Sequence, residues 1–296
     1  MKRSISNEAT NMNQPSTSPT TISSQTASSP SSDFTDITSF TLFEWIHYHY
    51  QRWRSRYFIA GFHYFLTSMR LFLQRFYQLT ASYSIQYDLN NRWKHIFTRQ
   101  ENEWDCGVAC CAMAMKWINT PLSLSSLYQH EIALRGTPLW TLDLLLCLKE
   151  HDIPATMYTT SIGVQSHHEN YEWYHRHLEQ DKRRMADQLH KLDDTSLNIV
   201  QMSLDIKDIQ SMLRDERNTV AIILVDSLTF SGKAASLRYL GHYILLLKYD
   251  PSVDEFYYFN PAVSTGLQKV SSKRLDEARL HPATDEDIIF VKRIRL

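Results

Sequence analysis

Cys106 opens a run, Asp105 to Trp117 (DCGVACCAMAMKW), whose small and apolar side chains recur at helical spacing. Peptide N–H groups at a helix start favour a thiolate, so the spacing predicts a lowered thiol pKa for Cys106 and a nucleophile at neutral pH. Gly107 beside it would let a substrate approach the backbone closely. The imidazole such a thiol needs must come from elsewhere. His242 begins HYILLLKY directly after Gly241, 136 positions beyond Cys106. A strand-start histidine can reach a helix-start cysteine across a cleft and form a thiolate-imidazolium pair. Asn260 ends the next strand ahead of Pro261 and can accept from the other ring nitrogen. Gln100, six positions before the cysteine in QENEWDC, can aim its amide at an oxyanion together with the Cys106 backbone N–H. The chemistry of that set is nucleophilic attack on a peptide or related acyl bond.

Other chemistry has less to stand on. The motif C-x3-C-C puts Cys106 and Cys110 on one helix face and turns Cys111 away, so no zinc set is formed; Cys110, Cys111 and Cys147 read as core thiols. His167, His168, His175 and His177 fall in a strongly charged segment and read as a solvated face. No metal ligand set and no cofactor is expected. Asp250 and Asp254 flank a PSV turn, and TDEDI around Asp285 and Asp287 reads as the solvated start of a strand. With seven glycines in the chain there is no glycine-rich phosphate loop.

The elements that would position the site follow from patterning. The 296 residues, 43% of them hydrophobic, suffice for one sizeable core. Residues 1–39, mostly Ser, Thr, Asn, Gln and Pro, read as a disordered tail. Residues 40–90 read as one or two aromatic, arginine-studded amphipathic helices. Packing against the domain is one use for them, and contact with a membrane surface through residues 40–83 is another. Residues 91–296 read as one domain, with helices at 105–117, 122–134, 141–151 (Thr141 available as the cap) and 206–215, and a long exposed helix or helical insertion over 167–192. Strands are expected at 155–160, 219–225, 242–249, 256–259 and 288–294. Helices followed by an antiparallel sheet make an α+β fold, N-terminal helices packed on a C-terminal sheet.

A formal net charge of -1 gives no electrostatic footprint for nucleic acid. Three crowded cysteines out of four are not a disulfide framework, and the N-terminus lacks the apolar stretch of a secretory signal; both suit a reducing, cytoplasmic compartment, peripheral to membranes if the aromatic helices touch one. The expected partner is a peptide or protein substrate, with the oligomeric state left open.

The run QENEWDCGVACCAM (100–113) resembles the Q-x5-C-G-x-A-C segment of bacteriocin-processing C39 cysteine peptidases, and more closely the family of guanylyl cyclase domain-containing protein 1. LWTLDLLLCLKEHDI, TTSIGV, GHYILLLKYDPSVDEFYYFNPA and TDEDIIFV are similar to the latter as well, so the resemblance covers nearly everything after Trp93. It implies a papain-like α+β fold and puts Cys106, His242, Asn260 and Gln100 on the site positions. One position departs from the peptidases, which usually carry Asp where this chain has Asn260. The separation of Cys106 and His242 also falls in the papain-type range of roughly 130 to 150. The function expected is that of a cysteine peptidase-like thiol hydrolase or transferase. Two alternatives stand beside it. The family name implies a guanylyl cyclase, making cyclic GMP from GTP. A catalytically inactive peptide-binding module would use Trp104, Trp140 and Tyr243 as its groove.

Overall fold

The computed structural model describes residues 42–53, 58–120, 127, 139–175, 177–191, 198–233, 239–264 and 266–293. The expected tail over 1–39 and nearly all of the helix expected at 122–134 lie outside them. The aromatic segment forms two helices, α1 (Leu42–Trp53) and α2 (Phe58–Trp93). The chain divides into two compact units between Met69 and Arg70. In the first, Trp45 packs on Phe65 with ring centroids 6.1 Å apart, while Phe43, Phe62 and Tyr64 are exposed. Among the described residues no helix is long and apolar enough to cross a membrane.

The second unit is built on a seven-stranded sheet in the order β2-β1-β7-β3-β4-β5-β6. Its strands are β1 (Ala155–Thr159), β2 (Ile199–Gln201), β3 (Thr219–Asp226), β4 (Gly241–Asp250), β5 (Glu255–Phe259), β6 (Leu267–Ser271) and β7 (Ile288–Lys292). Every pairing is antiparallel except β1 with β2. β3 is buried along its whole length because sequence neighbours on both of its faces are apolar, so it reads as a continuous run, TVAIILV, rather than an alternating one. The α+β class is therefore observed.

Helices cover both faces of this sheet, where the sequence suggested one helical layer. On one face Tyr243, Leu245 and Leu247 of β4 pack with α3 (Cys106–Trp117), α4 (Thr141–Glu150) and the end of α2, which contributes Leu89 and Trp93. Ser82 and Gln86 of α2 bond to Tyr257 Oη and the Leu267 carbonyl, so the domain expected from residue 91 includes the last turns of this helix in its packing. On the other face Ile244 and Leu246 meet Ile209 of α6 (Ile206–Met212) and Leu275 and Ala278 of α7 (Ser272–Arg279). The long helix expected over 167–192 is broken into a 3-10 turn at Ser166–Asn170, a single turn at Glu172–His175 and α5 (Leu178–Lys191).

α3 lies tight on its neighbours. A Cβ on Gly107 would stand 2.9 Å from both Leu144 methyl carbons and 3.1 Å from Tyr243 Cδ2. Gly107→Ala should therefore cost about 1–3 kcal/mol as overpacking, read in a urea unfolding curve. A loss below ~0.5 kcal/mol would mean that Leu144 simply gives way.

Candidate functional site

α3 places the Cys106 thiol at its first turn, as the sequence predicts, but Asp105 does not cap it with a side-chain bond. The Asp105 carboxylate turns back instead and accepts from the backbone N–H groups of Glu101 (3.1 Å) and Asn102 (2.9 Å), shaping the loop ahead of the thiol. That loop carries Gln100, whose backbone N–H donates to the Pro261 carbonyl at 3.0 Å. On the sheet side, His242 Nε2 and Asn260 Oδ1 are 2.8 Å apart, with Asn260 also accepting from the Ala262 N–H at 2.9 Å.

These contacts join His242 to Asn260 and the Gln100 backbone to Pro261, while the described lining of the cavity that holds Cys106 includes none of His242, Asn260 and Gln100, so no catalytic array is completed. The Gln100 amide donates to the Asn102 carbonyl at 2.7 Å, inside its own loop. No hydrogen bond or ion pair joins Cys106 to His242. The thiol instead faces the backbone of Tyr243, the residue next to His242, and that of Gly107.

Burial around the site runs against the sequence reading. Burial pushes the Cys106 thiol up to about 11, and the neighbouring Asp105 charge adds to it; the Tyr243 and Gly107 N–H groups pull downward without winning. Burial also holds the His242 imidazole below its ordinary value, with the Asn260 bond opposing. Thiol and imidazole are thus both neutral at rest, in place of the expected thiolate-imidazolium pair. Cys110, Cys111 and Cys147 are buried core thiols, as expected.

Cys106 lines a cavity of about 40 Å³, room for two or three waters. Its walls include Trp104, Trp140, Tyr174, Tyr239, Tyr243, Asp285 and Asp287. Trp140 stacks on Tyr174 at 4.9 Å and Tyr174 on Tyr239 at 5.6 Å, a contiguous aromatic wall. Among the described residues lining it there is no lysine or arginine.

The acidic pair on this wall is a feature that patterning missed. Asp285 and Asp287 are buried rather than solvated. Consecutive left-handed residues, Asp285 at φ 50° and Glu286 at φ 56°, turn the chain before β7, and the Asp285 carbonyl accepts from the Thr160 N–H at 2.8 Å at the end of β1. Burial pushes the Asp287 carboxyl up to about 8, with Asp285 beside it adding to the shift. Thr141, expected as a helix cap, donates to Asp287 and lies 2.8 Å from Tyr243 Oη. Trp140 takes the cap position of α4.

The histidine segment is corrected in the same way. His168 is fully buried, with Nε2 2.9 Å from Asp285 Oδ2, and His167 Nε2 lies 2.7 Å from Asp285 Oδ1. His177 lines the cavity. Only His175, exposed and bonded to the Glu169 carbonyl at 2.7 Å, matches the solvated reading closely. The 3-10 turn, which a helical periodicity search cannot register, folds His167 and His168 inward. Asp250 and Asp254 do serve the β4–β5 turn: Asp250 accepts from the Ser252 N–H at 2.9 Å, and Asp254 from Tyr249 Oη at 3.0 Å.

The peptidase domain of Streptococcus ComA, a bifunctional ABC transporter in a quorum-sensing pathway, aligns with TM-score 0.35 at 13% identity over 67% of this chain and 97% of that one. A C39-like peptidase from Bacillus anthracis aligns with TM-score 0.37 at 15% identity over 67% and 95%. In sequence, Guanylyl cyclase 1 of Arabidopsis thaliana is 29% identical over 201 residues, 64% of this chain and 72% of that protein. The model of the family described as "Guanylylate cyclase" matches residues 95–291, which takes in Cys106, His242, Asn260 and Gln100, and to that family this chain belongs.

Proposed function

We propose that this protein is a thiol-dependent acyl hydrolase or transferase in which Cys106 attacks, His242 moves the proton, Asn260 orients the imidazole and Gln100 steadies the oxyanion. The observation that carries this reading is the 2.8 Å bond between His242 Nε2 and Asn260 Oδ1, made beside the strand backbone that the thiol faces. An imidazole held by that bond has Nδ1 left to accept a proton. Because both groups rest neutral, the step is general-base catalysis: the thiol proton passes to His242 Nδ1 as sulfur attacks the carbonyl, and returns to the leaving group when the tetrahedral intermediate collapses. The Gln100 side chain donates to the Asn102 carbonyl within its loop, a bond that it would exchange for the oxyanion. The small cavity must widen for a substrate to enter, a change in which the Glu103–Trp104 segment, shared with the neighbouring groove around Gln100, would take part.

The test uses p-nitrophenyl acetate as acyl donor and peptide mass spectrometry as readout. An acetyl group should accumulate on Cys106, vanish in Cys106→Ala, form about 100-fold more slowly in His242→Ala and about 10-fold more slowly in Asn260→Ala. Acylation spread over other nucleophiles, or unchanged in His242→Ala, sinks the reading.

A second reading, conversion of GTP to cyclic GMP, is favoured by one observation: two buried carboxylates, Asp285 and Asp287, meet at the cavity. A cavity with no lysine or arginine among its described lining residues is a poor host for a bare triphosphate, which ranks this reading second. Cyclic GMP formed from GTP by the wild type and lost in Asp285→Asn would reverse the order.

A further inference from the structure

Asp285 presents a buried carboxylate against which no lysine or arginine of the described residues is paired. Two imidazoles meet it instead, one on each oxygen. The three ligating atoms, one each from His167, His168 and Asp285, all lie within 4.8 Å of one another. We propose that His167, His168 and Asp285 form a binding site for a divalent late first-row metal ion of the zinc type.

The chemistry of the donor set supports this class of ion. Two imidazole nitrogens and one carboxylate oxygen match three-ligand zinc sites, whereas magnesium and calcium favour all-oxygen sets. The surroundings are arranged to orient those donors. His168 Nδ1 accepts from the Gln165 backbone N–H at 2.9 Å, with the Gln165 carbonyl oxygen 3.2 Å away. For Nε2 to bind a metal the ring proton moves to Nδ1, which exchanges the bond accepted from the Gln165 N–H for donation to the Gln165 carbonyl, the outer bond that ligating histidines commonly make. Asp285 is held from its backbone as well: its carbonyl accepts from the Thr160 N–H at 2.8 Å and Thr160 Oγ1 at 3.0 Å. The left-handed φ values of Asp285 and its neighbour Glu286 are unfavourable for side-chain-bearing residues, and such conformations concentrate where a side chain must be aimed.

Access is provided by His167, whose side chain is 38% exposed while His168 is fully buried. Asp285 also forms part of the cavity wall that Cys106 lines, so an ion there would border the same space. The proposal does not rest on acyl transfer, because binding is measured without turnover.

The full chain, stripped with EDTA, should be titrated with Zn2+ by calorimetry and with Co2+ by visible absorption. One equivalent per chain is expected, with a cobalt spectrum of nitrogen and oxygen ligands. His167→Ala, at the half-exposed position, should weaken Zn2+ binding at least about 100-fold with an unchanged far-UV circular dichroism spectrum, and Asp285→Asn should do the same. Should Asp285→Asn fail to fold, His167→Ala decides alone. Absence of stoichiometric binding, binding unaffected by His167→Ala, or a thiolate-to-cobalt charge-transfer band would each overturn the assignment.

Discussion

Alkylation of Cys106 by iodoacetamide is expected to rise with pH along a titration curve whose midpoint lies at about 11. Four pH units below that midpoint only about one thiol in ten thousand is ionised, so the rate at pH 7 should be ~10⁴-fold below its alkaline limit. An unperturbed thiol, with its ordinary pKa of 9.0, would lose only about 100-fold over the same interval. His242→Ala should leave the midpoint in place, because no ion pair with His242 holds the thiolate. It should still slow acylation by p-nitrophenyl acetate, because there the imidazole acts as a base during attack. The two reagents therefore separate a preformed ion pair from general-base assistance. Mass spectrometry of the Cys106 peptide across the pH range measures both. A wild-type midpoint below pH 8 that climbs in His242→Ala would show that the pair ionises in solution, and the neutral resting state would be wrong.

The largest loss of stability is expected from Arg184→Ala. Asp143 in the first turn of α4 is fully buried, and burial drives its carboxyl above the usual range. The Arg184 guanidinium of α5 opposes that shift with a two-pronged contact, Nη1 on Oδ1 and Nη2 on Oδ2, the latter at 3.0 Å; Arg184 also holds Asp181 at 3.0 Å. Removing the cation leaves a buried carboxylate without its charge partner, a change of about 3–5 kcal/mol. For a chain of this size the melting temperature should fall by on the order of 10 °C. The double variant Asp143→Leu with Arg184→Leu removes both charges and should recover most of the loss, since an apolar pair of similar volume replaces a buried ion pair at little cost. Urea unfolding of the single and double variants supplies the comparison. A double variant as unstable as the single one would assign the effect to packing of α5 rather than to charge.

Much of the frame was legible in the residues. DCGVACCAMAMKW has an apolar surface on every side, and α3 is accordingly buried on every side from Cys106 to Met115. The β-branched and aromatic runs became β3, β4, β5 and β7 within a residue or two of their expected ends. The three-residue strand β2 and the mixed strand β6, LQKVS, carry too few apolar residues to register as strands and exist through their neighbours' ladders.

What patterning could not supply was the environment of each polar group. A helix start lowers a thiol pKa by a local dipole, and that much can be read from Cys106 and its neighbours; desolvation by burial acts the other way and outweighs it, and the strand that carries Tyr243 onto the thiol arrives from a distant part of the chain. His167 and His168 sit among charges in sequence, yet a 3-10 turn and the left-handed turn before β7 carry them onto Asp285, more than a hundred residues away. The sequence by itself thus determined the elements and the order Cys, His, Asn. Only the tertiary structure decided which carboxylates and imidazoles lose their water, because burial is a property of contacts between segments and periodicity records only the segment itself.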